Sequence, residues 1–286
     1  MKLLRYGSKG QEKPGMLDES GVLRDLSAHL RDITPHSLTP EGLAALRAID
    51  PASLPEVPGT PRLGTPFTGL GKFICVGLNY SDHAAEAGMP IPKEPILFTK
   101  WNNSFAAPND PVVLPRGANK GDWEVELGVV IGRKARYVSL DEALQCVAGY
   151  CVVNDVSERE YQLERGGTWD KGKGADTFGP VGPWLVTSDE VPDPQNLDMW
   201  LDLNGRRCQQ GNTRTMIFGV AYLIHYISQF ATLYPGDLIS TGTPPGVGMG
   251  QKPPVYLRAG DRMRAGIRGL GEQQQEVFAF DEALLD

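Results

Sequence analysis

The run Glu124-Val-Glu-Leu-Gly-Val-Val-Ile131 constrains the fold more than any other stretch of this chain. It is apolar along its length except for two carboxylates spaced two residues apart. Strand side chains alternate between faces, so Glu124 and Glu126 share one face while Val125 and Leu127 take the other. Their Cα atoms then lie roughly 7 Å apart, a span that one hard cation can bridge. Two like charges on one half-buried face repel unless something neutralises them, and a divalent metal is the simplest neutraliser. For an isolated pair, a solvated sheet edge with two exposed glutamates is the plainer reading. The rest of the chain has to decide.

A second apolar run, Val147-Ala-Gly-Tyr-Cys-Val-Val, reads as a buried strand and ends in Asn154-Asp155. An aspartate at the end of a buried strand is costly unless it is paired or bound to metal. Taken alone, Asp155 reads as a turn residue. Together with Glu124 and Glu126 it completes an all-oxygen set that suits Mg²⁺ or Mn²⁺. No thiolate or paired-histidine spacing points to zinc. Upstream, Ser81-Asp-His-Ala-Ala-Glu-Ala-Gly88 reads as a short helix capped by Ser81 and stopped by Gly88. His83 and Glu86 share one face of it. A carboxylate beside an imidazole fixes the tautomer and raises basicity, which makes a general base toward water. A solvated surface pair fits the same spacing.

The 286 residues include 34 Gly and 23 Pro, about a fifth of the chain against a usual ~12%. So many turn formers imply short strands rather than a helical bundle, and the expected class is α+β, mostly β. Residues 1–69 read as a small N-terminal domain and Pro-rich linker, with a helix opened by Thr39 and Pro40. Residues 70–286 read as the main domain. Within it we expect a strand at Phe73–Val76, a capping box at Ser139–Glu142 and a hairpin turn at Asn204-Gly205. A long helix is expected over Met216–Leu233, then a closing hairpin over Arg262–Ile267 and Gln273–Phe280. The net charge of −7 disfavours a nucleic-acid partner. The four cysteines form no C-x-x-C pair, and Cys75 and Cys151 read as small reduced core residues. No stretch approaches the ~18 apolar residues of a membrane span. A cytoplasmic location without membrane partners is expected.

Glu124-x-Glu126 and Asp155 are joined by Gly77-Leu-Asn-Tyr-Ser-Asp-His83, Trp169-Asp-Lys-Gly-Lys173-Gly-Ala-Asp176 and Thr241-Gly-Thr-Pro-Pro-Gly-Val-Gly248. In this order, over roughly residues 70 to 280, these blocks resemble the fumarylacetoacetate hydrolase family. The resemblance implies a mixed β-roll or sandwich, usually a homodimer, that acts on 2-keto acids with a divalent metal. It is nearest to the bacterial branch that hydrolyses 2,4-diketo-3-deoxy sugar acids derived from L-rhamnonate or L-fuconate. It also implies that residues 70–286 are the catalytic domain, with metal ligands Glu124, Glu126 and Asp155, and catalytic roles for His83, Glu86 and Lys173. Lys173 would stabilise an enolate or deliver a proton, held in place by Asp176, while Lys171 is a bystander. Gln162, Thr243, Lys100 and Asp176 are the implied substrate-side residues. Acylpyruvase-type relatives often carry Arg where this chain has Leu78. The competing readings are a lyase, decarboxylase or isomerase built on the same metal site, as for ureidoglycolate, oxaloacetate or hydroxyheptadienedioate. A third is a non-catalytic module holding structural Ca²⁺.

Overall fold

The computed structural model describes residues 1–285. Strands outweigh helices, about 32% against 20%, so the mostly-β expectation holds. The larger sheet has ten strands. Its central strand, Val125–Ile131, pairs antiparallel with Val147–Asn154 on one side and with Leu238–Ser240 on the other. Phe73–Gly77 and then the edge strand Ile96–Lys100 follow beyond Leu238–Ser240. On the far side Gly179–Thr187 pairs with Val147–Asn154 and with the first strand of the chain, Lys2–Tyr6. The N-terminal strands therefore extend the same sheet. A five-stranded sheet, built around Asp198–Leu203 and Arg262–Ile267, packs against it.

The central strand shows why both of its faces are apolar. Val125, Leu127, Val129 and Ile131 face the smaller sheet and the helix Val220–Ser228, in one core with Met199, Leu201 and Ile224. Val130 faces the other way, into a second core with Leu3, Met16 and Val153. Each such fully buried Val or Leu contributes about 1.5–3 kcal/mol. Gly128 sits on that second face because a Cβ there would lie 2.7 Å from Cys151 Sγ and from Val153 Cγ2. Glu124 and Glu126 belong to this face too, at the end of the strand where the second core stops.

Local signals mostly carry through. Thr39 caps Pro40–Arg47, its hydroxyl accepting from Gly42 N at 3.1 Å. The Ser139–Glu142 capping box forms. Asn204 and Gly205 turn the hairpin with φ of 52° and 79°, as a type I′ turn requires. The long helix expected over Met216–Leu233 is shorter, Val220–Ser228. Asn79 takes up the chain ahead of it by accepting from Phe218 N at 2.9 Å. Ser81 is not the cap of its helix: Tyr80 holds that position without a side-chain bond, and the Ser81 hydroxyl donates to Thr215 O at 3.2 Å. Gly88 does stop that helix, with φ of 63°. Cys75 and Cys151 are buried core thiols, pushed up by desolvation.

Candidate metal centre and active site

The ladder between Val125–Ile131 and Val147–Asn154 sets the floor of the site. Glu126 lies opposite Val153, Val125 opposite Asn154, and Asp155 N–H donates to Glu124 O at 2.8 Å. Residues opposite one another in a ladder share a face, so Asp155 joins Glu124 and Glu126 on one side. All three are buried, and one carboxylate oxygen from each lies within 4.8 Å of the others. From the neighbouring strand, Ser240 Oγ and Gly242 N donate to Glu126 Oε2 at 2.6 and 2.8 Å.

This donor set fits a hard divalent cation: it is anionic, all-oxygen and convergent. Charge balance points the same way. Four buried carboxylates (Asp122, Glu124, Glu126 and Asp155) meet three buried cations (Lys100, Arg159 and Lys173). Burial first, then the charges of Asp155 and Glu124, push the Glu126 carboxyl well above the ordinary range. Glu124 behaves oppositely. Burial raises it, but Lys173 and Arg159 outweigh burial and hold it at about 2.

The cations are tightly assigned. Lys173 Nζ donates to Glu124 Oε2 at 2.7 Å and to Asp155 Oδ2 at 2.8 Å. It lies on the short helix Asp170–Lys173, not on a flexible glycine loop. Gly172 lets that helix approach Arg159–Leu163, since a Cβ would lie 2.5 Å from Gln162 N. Lys100 Nζ donates to Asp155 Oδ1 at 2.6 Å and to Val156 O at 3.0 Å. Burial pushes its ammonium down against the pull of Asp155.

Above the floor lies a cavity of about 220 Å³, lined by Glu124, Glu126, Lys173, Gln162 and Thr243 and covered by His83 and Glu86. His83 Nδ1 stands 3.1 Å from Glu86 Oε2, and Glu86 also accepts from Gly246 N at 3.1 and 3.2 Å. With Nδ1–H directed at Glu86, the His83 lone pair resides on Nε2.

Not every expected residue arrives. Asp176 does not hold Lys173; it accepts from Asn103 Nδ2 at 2.6 Å and lines a separate cavity with Asn103 and Thr177. Lys100 is not among the residues lining the site cavity; it is buried and paired with Asp155. The Thr243 hydroxyl is occupied, donating to Val125 O at 2.9 Å and accepting from Gln209 Nε2 at 2.8 Å. Gln162 lines the cavity and accepts from Arg159 at 2.9 Å. Arg159 and Asp122 escape the sequence reading. Arg159 donates to Asp122 Oδ2 at 2.8 Å and to Glu124 Oε1 at 2.6 Å. Asp122 also accepts from Gly248 N at 2.6 Å and Met249 N at 3.0 Å. The signal for both was weak: Arg159 stands four residues after Asp155 across an extended segment, and Asp122 sits two residues before Glu124.

Comparison with known proteins agrees with this geometry. Residues 72–278 match the fumarylacetoacetate (FAA) hydrolase C-terminal family. A protein of Burkholderia orbicola, named as a hydrolase and no more specifically, is 66% identical over 278 residues, 97% of this chain and 99% of its own. The solved fumarylacetoacetate hydrolase from Exiguobacterium antarcticum superposes with a TM-score of 0.88 at 34% identity, covering 98% of this chain and 100% of that one. A maleylpyruvate hydrolase from Sphingobium sp. SYK-6, solved in complex with manganese(II) and pyruvate, gives 0.82 at 29% identity with the same coverage. With its fold matched along nearly its whole length and its carboxylate floor in place, the chain belongs to the fumarylacetoacetate hydrolase family.

Proposed function

We propose that the protein hydrolyses the C3–C4 bond of a 2,4-diketo acid, giving pyruvate and a second acid. A 2,4-diketo-3-deoxy sugar acid from L-rhamnonate or L-fuconate, yielding lactate, fits this chemistry. One observation carries the reading: of a buried Glu-Glu-Asp cluster, Glu124 and Glu126 line a cavity that is also lined by a histidine paired with a carboxylate. Glu124, Glu126 and Asp155 would hold Mg²⁺ or Mn²⁺, which when bound supplies Lewis-acid polarisation of the keto acid's oxygens. The remaining work falls to the chain's own groups. His83 Nε2 takes a proton from water as its oxygen bonds to C4, and Glu86 stabilises the imidazolium that forms. The C3–C4 bond then breaks, and its electron pair passes to the departing pyruvate as the enolate. Lys173, cationic between two carboxylates, offers positive charge to the enolate oxygen, and the proton that His83 took from water passes to C3 to complete pyruvate and restore the base.

The test offers purified protein and Mg²⁺ a 2,4-diketo-3-deoxy sugar acid, 2,4-dioxopentanoate, oxaloacetate and ureidoglycolate. The expected result is pyruvate from the diketo acids, lost with chelator and restored by metal. Turnover confined to oxaloacetate or ureidoglycolate would replace this reading with the decarboxylase or lyase alternative. We also propose a cytoplasmic homodimer. The edge strand Ile96–Lys100 and the exposed Leu97, Trp101 and Phe230 border an open apolar cavity of about 500 Å³, which a second copy would cover. Light scattering should give twice the chain mass, and Phe230→Glu should halve it.

A further inference from the structure

Resting on the 2-keto-acid reading of the site, we infer that the substrate's far end is uncharged and that Leu78 enforces this. Among the described residues lining the cavity, the fixed cations are Arg159 and Lys173. Both are anchored at the floor, the end of the site where the keto acid and its enolate oxygen are placed in the proposed reaction. Arg159 serves Asp122, Glu124 and Gln162, and Lys173 serves Glu124 and Asp155 while its Nζ lies 5.1 Å above the Phe98 ring. A second carboxylate, at the end remote from the floor, would meet the His83–Glu86 pair, in which Glu86 already engages the imidazole, and an apolar wall. That wall is Leu78, Met89, Ile96, Phe98, Trp169 and Met249. Taking a carboxylate out of water without a partner is heavily disfavoured, whereas an alkyl or hydroxyalkyl group fills such a wall favourably.

Leu78 is built into this position. Its φ of 49° lies in the left-handed region, where a bulky non-glycine residue is an outlier that persists only when its surroundings hold it. Its neighbours do so. Asn79, fully buried, donates to Phe218 O at 3.0 Å and Thr241 O at 2.7 Å, and accepts from Phe218 N. At Gly77 a Cβ would lie 2.4 Å from the Trp169 ring, so the glycine admits that ring to the wall. The three consecutive residues thus seat an aromatic ring, place a leucine in the cavity wall and lock the backbone. The substrate class that follows is a monocarboxylic 2,4-diketo acid with a short uncharged acyl group. The family neighbour named for maleylpyruvate takes its name from a compound with two carboxylates.

The test separates this inference from the hydrolase reading by measuring binding as well as turnover. Calorimetry on the Mn²⁺-loaded protein compares 5-methyl-2-oxohexanoate with 2-oxoglutarate, which match in shape but end in isopropyl and carboxylate. The isopropyl ligand should bind at least about a hundredfold more tightly. Leu78→Arg, which asks the backbone for the same φ, should narrow or invert that ratio by at least about tenfold, while Leu78→Met keeps it. Equal or tighter binding of 2-oxoglutarate by the native protein overturns the inference, as does failure of both ligands to bind at millimolar concentration. A ratio unmoved by Leu78→Arg overturns the role of Leu78. If the isopropyl ligand is preferred as stated but no diketo acid is cleaved, the hydrolase reading fails and the uncharged far end stands.

Discussion

Glu124, Glu126 and Asp155 sit at the ends of buried strands, whereas His83 and Glu86 ride on a seven-residue helix, Ser81–Ala87, whose one buried residue is Ala84. Every floor carboxylate is fixed by ladder geometry and by at least one buried hydrogen bond. The covering helix has no side-chain cap at its start and is tied down by a few polar contacts. Those are Glu86 to Gly246 N, Asp82 to the Thr215 hydroxyl at 3.1 Å, and Ser81 to Thr215 O. A helix this short does not hold itself together in water, so its order depends on those contacts. On the proposed function, binding charge and moving protons fall to separate parts of the fold. Each can then be damaged without the other.

The sharpest break is in the floor. Glu126→Ala should remove metal-dependent turnover by at least about 10³-fold, the several kcal/mol that a Lewis acid supplies. The metal-free variant should melt close to the metal-free native protein, because removing a buried carboxyl beside two like charges is offset by leaving Ser240 Oγ and Gly242 N without their acceptor. Thermal melts with and without Mn²⁺ check both halves. A variant that still gains stability from Mn²⁺ would take Glu126 out of the ligand set.

Next comes the cover. His83→Ala should lower diketo-acid hydrolysis by about 10²-fold, the usual scale for a general base, with metal affinity unchanged. Any side activity on oxaloacetate, which needs no attacking water, should fall far less. Equal loss of both activities would make His83 a proton carrier shared by both reactions.

Acidity sharpens the comparison further, because the upward shift of Glu126 belongs to the floor. A carboxyl whose folded value lies above its unfolded one favours the fold below the unfolded value, ordinarily 4.5, and that contribution is lost as pH rises through the folded value. Metal binding requires the ionised form, so it releases a proton. Metal affinity should therefore rise with pH, by up to about tenfold per unit, until Glu126 is ionised without metal. Calorimetry in buffers of different ionisation enthalpy would detect the proton, and a pH-independent affinity would contradict the shift.

The floor was the more legible region for a physical reason. Strand alternation relates Glu124 to Glu126 by local geometry alone, and an aspartate ending an apolar run signals itself by its cost. The pairing of the two strands, which sets Asp155 across from Glu124, needed the family's block order. The cations were harder to read. Lys100, Arg159 and Lys173 reach the floor from different elements, and nothing in a sequence marks which carboxylate a lysine will meet. That is why Asp176, close to Lys173 in the chain, was a plausible partner although Glu124 and Asp155 hold it. Leu78 was visible as a departure from the acylpyruvase pattern, but its left-handed backbone and its place in the cavity wall belong to the tertiary structure. The shortened helix Val220–Ser228 has a similar cause: its apolar period continues past the point where Asn79 claims the chain.

The smallest effect tests whether the two regions open independently. Thr215 lies outside the covering helix and does not line the cavity, yet its hydroxyl donates to Asp82 Oδ2. Thr215→Val keeps the shape and removes that bond, together with the one the same hydroxyl shares with Asn212 O at 3.1 Å. A partly exposed hydrogen bond contributes about 0.5–1.5 kcal/mol, so opening of the helix should become roughly 2- to 10-fold more frequent. The consequence should appear as a few-fold rise in KM, with metal affinity unchanged. Hydrogen exchange locates it: amides of residues 81–88 should exchange faster by that factor, while those of Val125–Ile131 and Val147–Asn154 keep their protection. If the floor strands lose protection by the same factor, helix and floor open as one unit. The separation of charge binding from proton transfer would then describe where the residues sit and not how the molecule moves.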